Sequence, residues 1–219
     1  MKTLELFSGT GSFSKVAVKL GHSIFCVDKC AFINNGSMTD LVTDLETDDL
    51  HYVCKHPDFI WASPPCTAFS VASIGKNWDK DTRLPKSDKA LQGLRILENT
   101  IKIISLKKPK YFVIENPRGM MRKVVDPLLK KYGLINVIRK TVTYCQYGDN
   151  RMKPTDLWVN FNWNTKPMCK NGDPCHVSAP RGSRTGTQGL KGNMERSVIP
   201  PALFDEMFKQ IAIQDGTKR

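Results

Sequence analysis

At 219 residues, 40% of them hydrophobic and 25% charged, the chain is long enough for one sizeable α/β domain and too short for two full ones. It has no apolar run of bilayer-spanning length and polar residues interrupt its N-terminus at once, so the expectation is no membrane span, no signal peptide and a cytoplasmic protein. The formal charge of +12 is uneven: residues 1–60 hold five Lys/Arg against eight Asp/Glu, net −3, while residues 61–219 carry net +15 and suit a polyanion, with nucleic acid the natural partner.

Residues 3–7 read as a buried strand, Ser8-Gly9-Thr10-Gly11-Ser12 as a glycine turn, and 13–20 as a helix closed by Gly21. Such a turn lets a ligand approach the main chain at a helix N-terminus. A second strand, 22–27, ends in Asp28, where a carboxylate can take both hydroxyls of a ribose. A third, 41–43, ends in Asp44, and Asp48 and Asp49 open a short helix toward Lys55. Singly these acids read equally well as helix caps; with the glycine turn they define a nucleoside pocket. The Gly-x-x-x-x-Gly-Lys-Ser/Thr pattern is missing, so a triphosphate is not indicated.

The fourth strand, 58–62, runs into Ser63-Pro64-Pro65-Cys66-Thr67-Ala68-Phe69-Ser70. Two prolines fix φ and stiffen the turn that presents the Cys66 sulfur, which suits a nucleophile, although free cysteines are more often buried filler. Residues 67–87 show little periodicity and carry Lys76, Lys80, Arg83 and Lys86, as a flap over a phosphate backbone would. A helix is predicted over 88–106. The apolar run 111–114 is a central parallel strand delivering Glu115-Asn116-Pro117, and a further helix spans 121–132.

Two more strands, 135–143 and 156–161, flank a connection that carries Arg151 and Lys153 one residue apart. Residues 162–194 are basic and without a strong pattern, and a last helix follows Pro200-Pro201 over 202–213. Seven scattered cysteines fit reduced thiols better than a disulfide framework. Cys169, Cys175 and His176 invite a zinc reading. Three candidate ligands without a Cys-x-x-Cys pair fall short of a closed tetrahedral site, so no metal is expected.

Five motifs, Glu5-Leu-Phe-Ser-Gly-Thr-Gly11, Ser63-Pro-Pro-Cys-Thr-Ala-Phe-Ser70, Glu115-Asn-Pro117, Tyr147-Gly-Asp-Asn-Arg-Met-Lys153 and Ser197-Val-Ile-Pro-Pro-Ala-Leu203, occur in this order. In them the chain resembles the DNA cytosine-5 methyltransferases from end to end. The resemblance implies a doubly wound, mostly parallel α/β sheet, Rossmann-like, that binds S-adenosyl-L-methionine. Its catalytic domain would be 1–161, with a short target recognition insertion at 162–194 and a returning C-terminal segment at 195–219.

The resemblance also assigns roles. Phe7 would stack on adenine, Gly9 and Gly11 give room for the methionine part, Asp28 hold the ribose, and Asp44 the adenine amino group. Ser8, Lys29, Leu45 and Pro65 would complete the cofactor pocket, and Ser197 and Val198 would return beside its methionine end. Cys66 would attack carbon 6 of cytosine, with Glu115 as proton partner and Arg151 and Lys153 stabilising the ring's charge. Neighbouring cations are expected to lower the Cys66 pKa.

The substrate implied is double-stranded DNA, bound by a monomer, with Thr67, Ser70, Lys76 and Arg83 on the DNA side and Arg181, Arg184 and Gln188 as base readers. So short a recognition region implies a target of about two to four base pairs. Lys153 stands for the family's usual second arginine, Asp149 for a glutamine and Ser197 for an asparagine. Small basic enzymes of this kind resemble phage proteins. Two rival readings remain at this point, cytosine-5 methylation of tRNA and a non-catalytic DNA-binding protein on the same fold.

Overall fold

The computed structural model describes residues 1–31, 39–178 and 192–216. Its elements run β1 (Lys2–Leu6), α1 (Ser12–Lys19), β2 (Ser23–Asp28), β3 (Leu41–Val42), β4 (Phe59–Ala62), α2 (Ile74–Asn77) and α3 (Asp88–Lys107). They continue with β5 (Tyr111–Pro117), α4 (Met121–Lys131), β6 (Ile138–Thr143), β7 (Pro154–Val159), α5 (Asn193–Ser197) and α6 (Pro201–Gln214). Among the described residues these seven strands form one sheet of order β3-β2-β1-β4-β5-β7-β6. It is parallel from β3 to β5, and β7 runs antiparallel to both of its neighbours.

Side-chain alternation along the strands divides the core in two. Leu4, Leu6, Ile60, Ala62, Phe112 and Ile114 belong to the face packed with residues of α3 and α4. Phe59, Trp61, Val113, Leu157 and Val159 turn the other way, toward α1 and α6, where Phe13 stacks on Trp61 at 5.7 Å and meets Phe204 edge-on at 5.6 Å. Each such fully buried ring contributes about 1.5–3 kcal/mol relative to exposure. The doubly wound sheet expected from the sequence is therefore present. Among the described residues no helix is long and apolar enough to cross a membrane.

Three local expectations change. Residues 48–55 form turns, not a helix. Leu50 and Cys54 have φ of 55° and 42°, Asp48 and Asp49 accept from the N–H groups of Leu50 and His51, and the buried Lys107 ammonium donates to the carbonyls of Leu50 and Val53. A distant lysine and two side-chain turns thus outcompete the local helix. Residues 66–77 hold two short 3-10 turns and α2. Trp78 is buried beneath them, stacked on Phe69 at 5.7 Å and donating Nε1–H to the Ala68 carbonyl at 2.7 Å, so the base of the expected flap is anchored. Finally, β5 extends to Pro117, which places Glu115 within a central strand and not after it.

Candidate active site

The turn that carries Cys66 is locked from two sides. Asn116 donates Nδ2–H to the Pro64 carbonyl at 2.8 Å, and the Met120 N–H donates to the Phe69 carbonyl at 2.7 Å. Ser70 bridges to Gly119, where a Cβ would lie 2.2 Å from the Phe69 carbonyl oxygen; only glycine permits that approach. Pro65 (φ −52°, ψ 123°) leads into the 3-10 turn that begins at Cys66. The half-buried Cys66 thiol is pushed up by burial first and by Glu115 second, while Lys153 and Arg196 pull it down less strongly. The lowering expected from neighbouring cations is thus outweighed, and the resting sulfur is a thiol.

Glu115 is buried on β5 and accepts from the Tyr144 hydroxyl at 2.8 Å. Burial pushes its carboxyl up; Lys153, Tyr144 and Ser63 pull it down without reversing the direction. Lys153, also buried and at a strained φ of 27°, donates to the Arg196 carbonyl at 2.7 Å and lies 4.8 Å from the centre of the Tyr144 ring. Desolvation lowers its pKa.

Arg151 faces elsewhere. Its Nε–H reaches Asp149 at 2.8 Å and Nη2 donates to the same carboxylate, Nη1 takes the carbonyls of Glu195 and Arg196 at 3.1 and 3.2 Å, and Nη2 takes that of Val198 at 3.0 Å. All five donors are engaged, so the guanidinium holds the 195–198 segment and has no free N–H for a substrate. In this arrangement Arg151 anchors that segment. Asp149 and Tyr144 are residues the sequence did not single out as partners.

At the C-terminal ends of β1, β2 and β3 lies the second half of the site. Phe7 turns at φ 63°, and Phe7 and Ser8 both donate their N–H to the Val27 carbonyl. Gly9 (φ 46°) donates to Asp28 Oδ2 at 2.8 Å, and Gly11, at φ 65°, caps α1. Asp28 Oδ1 accepts from Cys30 N at 3.2 Å, so among the described residues each oxygen carries one bond and keeps acceptor capacity. Lys29 pairs with Asp44 at 2.8 Å on the surface, and Leu45 is buried beside them. Ser197 Oγ donates to the Met194 carbonyl at 2.7 Å, while Ile199 N donates to Ser12 Oγ at 3.2 Å; the second bond brings the 197–199 segment against the start of α1.

Beneath this floor, Glu5 is buried among the N–H groups of Phe13 and Ser14, and burial pushes its carboxyl up to about 8. Pro65, Thr67, Lys76 and Arg83 are exposed and Ser70 half-buried around the Cys66 turn. Arg181, Arg184 and Gln188 lie outside the described residues. The ligand count at Cys169, Cys175 and His176 differs from the sequence reading: Cys145, from the turn after β6, joins them, and the four ligand atoms lie within 4.8 Å of one another.

Fold and site together define an α/β protein with acids at the ends of its parallel strands and a cysteine near a buried carboxyl. The family of C-5 cytosine-specific DNA methylases matches residues 1–132, more than half of the chain, and the chain belongs to that family. It is 29% identical to the "Probable DNA (cytosine-5)-methyltransferase" of Frog virus 3 (isolate Goorha), over 95% of this chain and 99% of that one. It is 26% identical to the type II methyltransferase M.DdeI of Desulfomicrobium norvegicum, over 55% of this chain and only 29% of that protein. Among solved structures, the Dnmt2 methyltransferase of S. pombe is 15% identical, with 74% of this chain and 51% of that one covered at a TM-score of 0.47.

Proposed function

We propose that the protein transfers a methyl group from S-adenosyl-L-methionine to carbon 5 of cytosine in a short target of double-stranded DNA, through a covalent bond to Cys66. The observation that carries this reading is the pairing of Cys66, in its doubly proline-stiffened turn, with a buried Glu115 carboxyl whose pKa burial raises, in a chain of this family. The residues fit the cofactor: Asp28 keeps acceptor capacity for a diol, and among the described residues nothing but the Phe7 carbonyl lies within 4 Å of a Cβ built on Gly9. Phe7, Ser8, Gly9, Gly11 and Asp28 would hold its nucleoside and methionine parts, with Asp44, Lys29, Leu45, Pro65, Ser197 and Val198 around them. S-adenosylmethionine, when bound, supplies the electrophilic methyl group.

The flipped cytosine costs roughly a few kcal/mol to extract, offset by phosphate contacts from the basic half. The Cys66 sulfur adds to carbon 6, its proton leaving to solvent, while Glu115 gives or shares its proton at N3, so that the ring forms a neutral enamine. Lys153, with two N–H bonds not engaged by Arg196, stabilises charge at the ring. Arg151 is a positioning residue that holds the 195–198 segment in place. After carbon 5 is methylated, its proton leaves to a base, the sulfur departs with the bonding pair and the N3 proton returns to Glu115.

The test is labelled methyl transfer to duplex DNA followed by digestion. We expect 5-methylcytosine, and a covalent adduct with 5-fluorocytosine DNA that Cys66→Ser abolishes. Transfer to tRNA in place of DNA, or an adduct that survives the substitution, overturns the reading.

A further inference from the structure

We propose that Cys145, Cys169, Cys175 and His176 bind one zinc ion that fastens the segment after β7 to the hairpin carrying Arg151 and Lys153. Zinc bound by thiolates at about 2.3 Å in a tetrahedron has sulfur–sulfur edges of about 3.8 Å. Cys145 and Cys175 lie 3.6 Å apart, and His176 Nδ1 lies 3.8 Å from Cys169 Sγ and 3.5 Å from Cys175 Sγ. Cys145 and Cys169, at 3.1 Å, need open by only about 0.7 Å to reach that edge.

Four protein ligands make up the closed set of a structural centre. Cys145 and Cys169 are 7% exposed, Cys175 is exposed and His176 half-buried, so the cluster sits at the edge of the core, where weak S–H contacts alone are a poor use of buried space. Three sulfurs cannot all pair in disulfides, and 3.1 Å is far from an S–S bond of about 2.0 Å. Three thiolates and a neutral imidazole select zinc over hard cations. On binding, the three thiols release their protons to solvent, and Gln146 already directs Nε2–H to Cys175 Sγ at 3.5 Å, a contact that would orient the ligand.

The four ligands come from two separate places in the chain. Cys145 follows Tyr144, the partner of Glu115, whereas Cys169, Cys175 and His176 lie in an irregular segment. Beyond them, Val177 N donates to the Asn150 carbonyl at 3.0 Å, next to Arg151. A segment too short for its own hydrophobic core is the setting in which a metal staple supplies the missing stability.

The experiment is elemental analysis of the full chain purified without chelator, which should give about one zinc per chain, with Cys175→Ser falling below about a tenth and Cys175→His and Cys30→Ser keeping it. Cobalt exchanged for zinc should give thiolate charge-transfer and tetrahedral absorption bands that Cys175→Ser loses. A folded wild-type protein without bound metal, whose thiols at 145, 169 and 175 titrate freely, overturns the proposal. So does a Cys145–Cys169 disulfide under reducing purification, or full zinc retention in Cys175→Ser.

Discussion

Gly119→Ala places a methyl group where the Phe69 carbonyl oxygen stands 2.2 Å away, and real Cβ atoms essentially never approach closer than 3.0 Å. The obstacle is main chain, so either the Cys66 turn or the link from β5 to α4 must retreat by about 0.8 Å, at an overpacking cost of about 1–3 kcal/mol. That movement strains the Met120 N–H to Phe69 carbonyl bond and the Ser70 bridge, the ties between the nucleophile turn and the strand bearing Glu115. A sulfur displaced by this much from its attack position is expected to lose on the order of a hundredfold in kcat. Urea denaturation should show a midpoint lower by roughly 0.5–1 M, which leaves the variant folded in assay buffer, so that the loss of turnover exceeds any loss of folded protein. Unchanged turnover together with an unchanged midpoint would refute the claim that this close approach sets the position of Cys66.

Three further outcomes are expected. Tyr144→Phe removes a donor that stabilises the charged form of Glu115, so the carboxyl holds its proton to higher pH and the basic limb of the kcat/KM profile moves to the alkaline side; a limb that stays put or moves the other way argues against a protonated Glu115. Asp149→Asn leaves Arg151 with its carbonyl acceptors but without its buried counter-charge, costing about 3 kcal/mol in denaturant unfolding, and a loss under 0.5 kcal/mol would mean the pair is not buried in solution. Glu5, held protonated up to about 8 in the folded chain against 4.5 when free, contributes stability that is present below pH 4.5 and is lost as pH rises to about 8. Glu5→Gln should therefore flatten the fall of the unfolding midpoint across that window, and parallel curves for the two proteins would contradict the assignment.

The parallel half was legible because each of its parts is local. Strand, glycine turn and helix follow in order around Gly9 and Gly11, and the unbroken apolar run 111–114 marks a strand covered on both faces. What escaped was decided by distant partners. Lys107 draws in the carbonyls of Leu50 and Val53 from more than fifty residues away, and no periodicity in 48–55 signals it. Cys145 was not singled out in the sequence, since it lies 24 residues before Cys169 and only the return of 160–169 after β7 brings the two together. Arg151 was legible as important but not in its direction, because the carbonyls of 195–198 that claim it are forty residues later in the chain.

The antiparallel course of β7 has a mechanical consequence. Val159, its last residue, pairs with Val113 and Ile138, so the chain must travel back along the sheet before it reaches Cys145. The return path is tied down at successive points: Asn160 to Phe112, Trp163 to Glu206, Asn164 to Gln210, Lys166 to Tyr147 and Cys169 to Thr143. Residues 160–169 thus act as a ruler laid along the molecule. Inserting or deleting a residue there would shift Cys169 against Thr143 and Cys145 without touching Cys66 or Glu115.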